Sequence, residues 1–193
     1  MNVRPTHLLF LAALTLGTVR ASTADAENRL HKAVDAVVAV ADRSSCGSAL
    51  AEGVRPVLEK YLSFPAMTRR AIGPGWRQFT PAQQKKAIEL FTTLIIRTYS
   101  SKFTPGEHPV ITYKAATAPA AGRVEIPTKL LYHGSRYEVV YRMEESEGWR
   151  ITDIVAEGVS LVANYRSQFD SQFQKGGAGA VIDSLAGAVA HPR

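Results

Sequence analysis

The stretch WRITDIVAEGVSLVANYRSQFDSQF, from Trp149 to Phe173, changes its hydrophobic period partway along. Its first third alternates with a period of two, which is typical of a β-strand covered on at least one face. After Glu157-Gly158 the apolar residues recur about every 3.6 positions, which is typical of an amphipathic helix. We therefore predict a strand that turns at Gly158 and leads into a helix packed back on a sheet.

Strict alternation in this strand places Trp149, Ile151, Asp153 and Val155 on one face. A carboxylate between apolar neighbours is half-buried and needs hydrogen-bond donors, because an unpaired buried charge is costly. We interpret Asp153, with Glu157 and Gly158, as the structural junction between strand and helix. A second titratable group facing Asp153 would favour a catalytic role instead.

Helical patterns precede the strands. The best-marked helix begins after Thr80, with Pro81 at its first position and Gln83 at its third, which together predict a capping box. Its buried stripe includes Phe91 and Tyr99, and the helix closes near Phe103. The segments with helical periodicity are 27–41, 49–62, 65–72 and 81–103.

Four short apolar segments then predict an antiparallel meander. Its central hairpin turns at His133-Gly134-Ser135, and Pro127 indicates an edge position or a bulge. The helix after the meander is predicted to end at Gly176-Gly177, and one further helix follows at 180–190. The segments with strand character are 110–115, 123–132, 137–143 and 149–156. This order predicts an α+β domain, with helices packed on one face of a four-stranded antiparallel sheet.

The first 26 residues have the pattern of a secretory signal peptide. Arg4 supplies positive charge, residues 8–19 are apolar, and small residues allow cleavage after Ala21 or after Ala26. Residues 27–193 then form one domain. The single cysteine, Cys46, permits no intramolecular disulfide in an oxidising compartment, and we expect a buried thiol.

The composition offers little for catalysis. The five histidines are scattered without metal-ligand spacing, and no complete nucleophile motif is present, so we predict no catalytic residue, no metal and no cofactor. The formal net charge is +6. Basic residues in the middle third form either a solvated face or a docking surface for phospholipid head groups or an acidic partner; they are Arg69, Arg70, Arg77, Lys85 and Lys86.

Two ordered blocks carry a resemblance to a known family. W-R-x-x-D-I-V-x-E-G-V-S-L-V-x-N-Y-R-x-Q-F, from Trp149 to Phe169, is similar to the C-terminal signature of the MlaC family, also called toluene-tolerance proteins. The second block consists of V-R-P-x-L from Val54, F-P-x-M-T-R-R-A-I-G from Phe64 and W-R-x-F-T-P-x-Q from Trp76. That family comprises periplasmic phospholipid-binding proteins that serve an ABC transporter.

The resemblance implies an apolar lipid cavity between sheet and helices, with phospholipid as cargo and no enzymatic activity. We expect apolar side chains of the predicted elements to line that cavity. The candidates are Tyr61, Phe64, Phe91, Leu94, Ile95, Tyr99, Tyr137, Val139, Tyr141, Trp149, Ile151, Val155, Val162, Tyr165 and Phe169.

The resemblance also implies a place and partners. The protein would carry lipids across the periplasm of a Gram-negative cell and maintain outer-membrane lipid asymmetry. Its partners would be an outer-membrane lipoprotein–porin complex and an inner-membrane ABC transporter with an MCE-type lipid-binding ring; nucleic acid is not expected. Two alternatives remain: a carrier of hopanoids or other polycyclic lipids from the same family, and a small-molecule enzyme on a cone-shaped α+β fold.

Overall fold

The structure, a computed structural model, describes residues 12–191, with side chains from Thr23 onward. Most of the predicted signal peptide therefore lies outside the described side chains. The helices are α1 (Ala12–Ala41), α2 (Gly47–Tyr61), α3 (Phe64–Ile72), α4 (Pro81–Ser100) and α5 (Leu161–Ala190), with a 3-10 helix at Gly73–Gln78. The strands are β1 (Val110–Tyr113), β2 (Thr117–Ala120), β3 (Arg123–Tyr132), β4 (Ser135–Ser146), β5 (Gly148–Ala156) and β6 (Val159–Ser160).

The strands form one antiparallel sheet in the order β1-β3-β4-β5-β6, with β2 also paired to β3. The predicted α+β class is confirmed. Within residues 12–191 the sheet has six strands and not the predicted four, because β2 and β6 are also present. We predicted an edge position or a bulge at Pro127; because β3 is an internal strand of the sheet, the edge alternative is wrong. Proline has no N–H to donate to a neighbouring strand. The sheet tolerates this at Pro127 because the residue lies beside the gap between the end of β1 at Tyr113 and the start of β2 at Thr117.

A bulge in β5 corrects the predicted alternation of that strand. Met143 pairs with Ile151 and Arg142 pairs with Asp153, so Thr152 is an extra residue. One extra residue transfers everything after it to the opposite face of the strand. The Ile151 side chain therefore faces the helices, whereas the side chains of Asp153 and Val155 leave the backbone on the outer face of the sheet.

The helix boundaries follow the local chemistry of the sequence. The Thr80 hydroxyl accepts a hydrogen bond from the Gln83 N–H at 3.3 Å, and the Gln83 side chain accepts from the Thr80 N–H at 2.9 Å. The predicted capping box is thus confirmed. The predicted stop in α5 is also confirmed, because Gly176 and Gly177 leave helical geometry and Gly177 takes a φ of 63°.

The core lies between the helix-facing side of the sheet and the helices. Phe91 of α4 is fully buried against two rings of α5: the ring centroids lie 5.1 Å from Tyr165 and 5.9 Å from Phe169. Gly75 lets the Phe173 ring approach, since a Cβ at Gly75 would lie 2.9 Å from that ring. These aromatic contacts join α5 to α4 and to the 3-10 helix, and they hold the helical layer together.

Cys46 does not have the buried thiol that we predicted. It precedes α2 and is exposed, since the end of this helix faces solvent instead of the core. The nearby Ser48 hydroxyl, together with the Ala49 N–H, lowers the pKa of the thiol. Among the described residues, no helix is long and apolar enough to cross a membrane.

Candidate functional site

The helix-facing side of the sheet is closed at one end and open at the other. Val124, Met143 and Ile151 lie side by side across three strands and are buried. Towards the β3–β4 hairpin the same face continues through Leu130, which is half-buried, to its neighbour Tyr137, which is 41% exposed. The helical layer therefore covers the sheet only partly, and apolar sheet surface continues beyond it.

Five tyrosines lie at this open end, and we call them the tyrosine rim: Tyr99, Tyr113, Tyr137, Tyr141 and Tyr165. Tyr113 and Tyr141 are electrostatic neighbours on the sheet, and Tyr99 and Tyr165 are neighbours on α4 and α5. The contact between Phe103 and Tyr132, with centroids 5.5 Å apart, joins the end of α4 to the end of β3. The two tyrosine pairs thus belong to one end of the domain.

Burial raises the pKa of four members of the tyrosine rim, Tyr99, Tyr113, Tyr141 and Tyr165. Burial, with a smaller effect of neighbouring Tyr113, raises the pKa of Tyr141 to about 12. Burial also raises the pKa of Tyr99 and Tyr165. An ionised phenol is poorly solvated here, which is the behaviour of phenol groups set into an apolar surface.

The raised pKa of Tyr141 makes alkaline stability a test of its environment. Because the folded protein holds this proton more tightly than the unfolded chain, the group stabilises the fold below its usual pKa of 10, and that contribution is lost as the pH rises through about 12. We expect Tyr141→Phe to lessen the loss of unfolding free energy between those pH values. Urea denaturation across the range measures it, with Tyr137→Phe as control.

The predicted cavity residues fall into two groups. Nine are buried in the core: Tyr61, Phe64, Phe91, Leu94, Ile95, Trp149, Ile151, Val162 and Phe169. Five are half-buried or exposed at the open end: Tyr99, Tyr137, Val139, Tyr141 and Tyr165. The remaining one, Val155, pairs with Val140 on the outer face of the sheet. The pattern did not identify Tyr113, although it alternates with Ile111 in the same short strand.

Two adjoining surface grooves, of about 440 and 580 Å³, lie elsewhere, between α2, α3, α4 and the β4–β5 turn. Of the predicted cavity residues only Phe64 lines them. Arg69 and Lys85 of the predicted basic surface line the grooves, but so do three carboxylates, Glu144, Glu145 and Glu147. The grooves therefore mix charges of both signs and do not form the uniformly basic surface that a head-group site would need.

Asp153 lies under the start of α5 with all its donors in place. Its carboxylate accepts from Arg142 Nη1 at 3.1 Å and the Ser160 hydroxyl at 2.7 Å. It also accepts from the N–H groups of Ile154 at 2.9 Å and Val162 at 3.1 Å. A negative charge at a helix N-terminus is favourable, and this arrangement orients the helix on the strand. The titratable neighbour that it meets is a guanidinium, which does not suit proton transfer.

Glu157 and Gly158 make the tight turn between β5 and β6. Both have positive φ, 49° and 76° respectively, and the Glu157 carboxylate accepts a hydrogen bond from the Glu138 N–H. Ser160 then caps α5 by accepting from the Ala163 N–H at 3.0 Å. The chain thereby reverses direction within a few residues, so that α5 packs against the other helices.

We expect Asp153→Ala to lower the free energy of unfolding by about 2–3 kcal/mol, because a helix N–H, a hydroxyl and a guanidinium lose their acceptor together. Chemical denaturation measures this. The matched control is Asp170→Ala on the surface of α5, whose ion pair with Arg166 at 3.7 Å is exposed and whose loss should cost below about 0.5 kcal/mol. Equal effects of the two changes would contradict the junction role.

Comparison with known proteins gives a consistent result. Residues 22–187 match the sequence model of the MlaC protein family. A phospholipid-binding protein from Ralstonia solanacearum, solved in complex with a phospholipid, is similar in structure, with a TM-score of 0.80 and 28% sequence identity. The alignment covers 86% of this chain and 97% of that one. No significant match is found among curated proteins.

Proposed function

Since the chain belongs to the MlaC family, we propose that it binds a phospholipid and carries it through the aqueous space between two membranes. The observation that carries this proposal is the open end of the helix–sheet interface, where apolar surface continues from the core into the tyrosine rim. The similarity to a protein solved with a bound phospholipid supports the same ligand class.

The physical requirement on such a carrier is large. Two acyl chains hold about 30 methylene groups, and exposing them to water costs on the order of 20 kcal/mol. A carrier must therefore surround both tails with apolar side chains, and it needs no catalytic group. We infer that the protein is not an enzyme and that the lipid is its cargo.

We assign the tails to the space between the open end of the sheet and helices α1, α4 and α5. Tyr141 and Val139 would form the sheet wall and Tyr165 the helix wall, with the buried Phe91 and Ile151 behind them. The amphipathic rings of Tyr99 and Tyr137 suit the boundary between tails and water. The head group would remain near solvent, so recognition would depend mainly on the tails.

The family and the predicted signal peptide support a periplasmic location. We propose that the partners are the outer-membrane lipoprotein–porin complex and the inner-membrane ABC transporter with an MCE-type ring, and that transport maintains outer-membrane lipid asymmetry. Pull-down with each purified partner tests this part separately from lipid binding.

Of the two signal-peptide cleavage positions, we propose the one after Ala21. Ala26 is fully buried in the core and precedes Leu30 on the same helix, so cleavage after Ala26 would remove a packed residue. The family match also begins at residue 22. We expect the intact mass of the exported protein to correspond to a chain that begins at Ser22. A mass corresponding to Glu27 would contradict this.

Native mass spectrometry of protein purified gently from periplasm, followed by lipid extraction, tests the function. Co-purified diacyl phospholipid is the expected result. A co-purified hopanoid would show that the ligand is a polycyclic lipid and not a diacyl phospholipid. An empty protein that also fails to take up labelled phospholipid would refute the carrier function.

A further inference from the structure

Within residues 23–191, two hydroxyl groups of the tyrosine rim have no hydrogen-bond partner. Tyr99 and Tyr137 are each 41% exposed and open to solvent, and Tyr165 has a threonine hydroxyl of α4 as its partner. Tyr113 and Tyr141 are half-buried, and neither hydroxyl makes a hydrogen bond to another described residue. These two donors are therefore available to a ligand.

The strand register places both side chains on the helix-facing side of the sheet. Tyr113 of β1 pairs with Thr128 of β3, and Tyr141 of β4 pairs with Ile126, two residues earlier in β3. Residues two apart in a strand point to the same face, and Thr128 and Ile126 are both buried. The phenols are close enough for Tyr113 to disfavour the ionisation of Tyr141. They therefore face the same space between sheet and helices.

This space solvates the two phenol oxygens poorly. Burial raises the pKa of both groups, to about 12 for Tyr141, because a charge on either oxygen has lost its contact with water. The Thr128 hydroxyl, on the strand between them, is engaged with the Val139 carbonyl at 2.9 Å. A phenol O–H in an apolar surface is costly when it has no acceptor. A ligand that brings an acceptor oxygen to this point recovers that loss.

Helix α1 determines which kind of acceptor suits the pair. The His31 ring lies over the Tyr113 ring, with centroids 3.8 Å apart. After burial, the second cause of the raised pKa of Tyr113 is the negative charge of Asp35, one helical turn beyond His31. A second negative charge here, such as a phosphate or a fatty-acid carboxylate, is disfavoured by the same field. A neutral acceptor is favoured, and in an acyl lipid that acceptor is the ester carbonyl.

We propose that the Tyr113 and Tyr141 hydroxyls donate hydrogen bonds to the ester carbonyls of the bound lipid, so that the protein selects acyl-ester lipids over ether-linked or polycyclic ones. This assignment rests on the phospholipid-carrier function proposed above. The ester groups are the polar atoms at the head of the tails, and the pair lies where buried core gives way to half-buried surface. A lipid without these carbonyls leaves both donors unpaired, and such a mismatch is the usual basis of rejection by a hydrogen-bonding site.

Lipid exchange with mixed vesicles tests the proposal. The full mature protein is incubated with vesicles that contain equal amounts of dioleoyl phosphatidylglycerol and its dioleyl diether, which share head group and chain length and differ in the two carbonyls. The vesicles are removed, and mass spectrometry of the extracted lipid gives the ester-to-ether ratio on the protein. We expect the wild-type protein to hold about three to ten times more ester than ether lipid, the usual net effect of a hydrogen bond.

Removal of the hydroxyls identifies the donors. Tyr141→Phe and Tyr113→Phe keep each ring, and we expect each to lower the ester-to-ether ratio and the double variant to bring it to the ratio in the vesicles. Since neither change removes a hydrogen bond between described residues, both variants should fold, which circular dichroism checks. The control is Tyr132→Phe, the same chemical change where the hydroxyl already accepts from the Thr104 N–H at 2.8 Å. Its ratio should equal that of the wild type.

The possible outcomes separate ester selection from lipid carriage. Equal uptake of both lipids by the wild-type protein would leave the carrier function standing and refute ester selection alone. A preference that the double variant retains, or that Tyr132→Phe also loses, would overturn the assignment to Tyr113 and Tyr141. A wild-type protein that takes up neither lipid would refute the carrier function, and ester selection would fail with it.

Discussion

Replacing Phe91 by alanine is expected to remove about 3–5 kcal/mol from the free energy of unfolding, the usual cost of deleting a fully buried aromatic ring. Phe91 is 0% exposed, and its ring meets the rings of Tyr165 and Phe169 edge-on. The change would leave a cavity between α4 and α5 and remove both aromatic contacts. Since domains of this size are stable by only about 5–15 kcal/mol, this is a large fraction of the total.

Urea denaturation followed by circular dichroism measures this loss. The matched control is Tyr99→Ala, a large aromatic residue on the same helix that is 41% exposed, and we expect it to cost well under half as much as Phe91→Ala. If the two substitutions cost the same, the α4–α5 interface would not be the centre of the core.

The features that the sequence predicted well are determined by local chemistry. The capping box at Thr80 and Gln83 and the stop at Gly176-Gly177 depend on residues a few positions apart, and both are found where predicted. The change of period near Gly158 likewise marks a real strand-to-helix turn, because positive φ at Gly158 allows the chain to reverse within a few residues.

The features that the sequence did not predict depend on tertiary structure. The bulge at Thr152 leaves the hydrophobic pattern intact while moving Val155 to the outer face, so counting residues in the strand could not reveal it. Nor does periodicity separate a core residue from a residue at an open end: Phe91 and Tyr99 lie on one predicted stripe, yet one is buried and the other exposed. That difference is set by how far the helices extend over the sheet.

Introducing a charge at Tyr141 is expected to abolish lipid retention. Tyr141 lies between Ile126 and Ile154 on the helix-facing side of the sheet, at the depth where buried core gives way to half-buried surface. A carboxylate at that position would have to be desolvated whenever tails occupied the space, which costs several kcal/mol. We expect Tyr141→Asp to lower the amount of co-purified phospholipid by about a hundredfold or more, because each 1.4 kcal/mol is a factor of ten.

The neighbouring residue supplies the control, because adjacent residues in a strand point to opposite faces. Val140 pairs with Pro127 and Val155 on the outer face, so Val140→Asp introduces the same charge one position away and should leave lipid content unchanged. If Tyr141→Asp does not fold, Tyr137→Asp, at the exposed end of the same face, replaces it in the test, and we expect a smaller loss of co-purified phospholipid. Full lipid content in folded Tyr141→Asp, or equal losses in Tyr141→Asp and Val140→Asp, would exclude a lipid site on the helix-facing side, because a lipid held there could not avoid the charge at Tyr141.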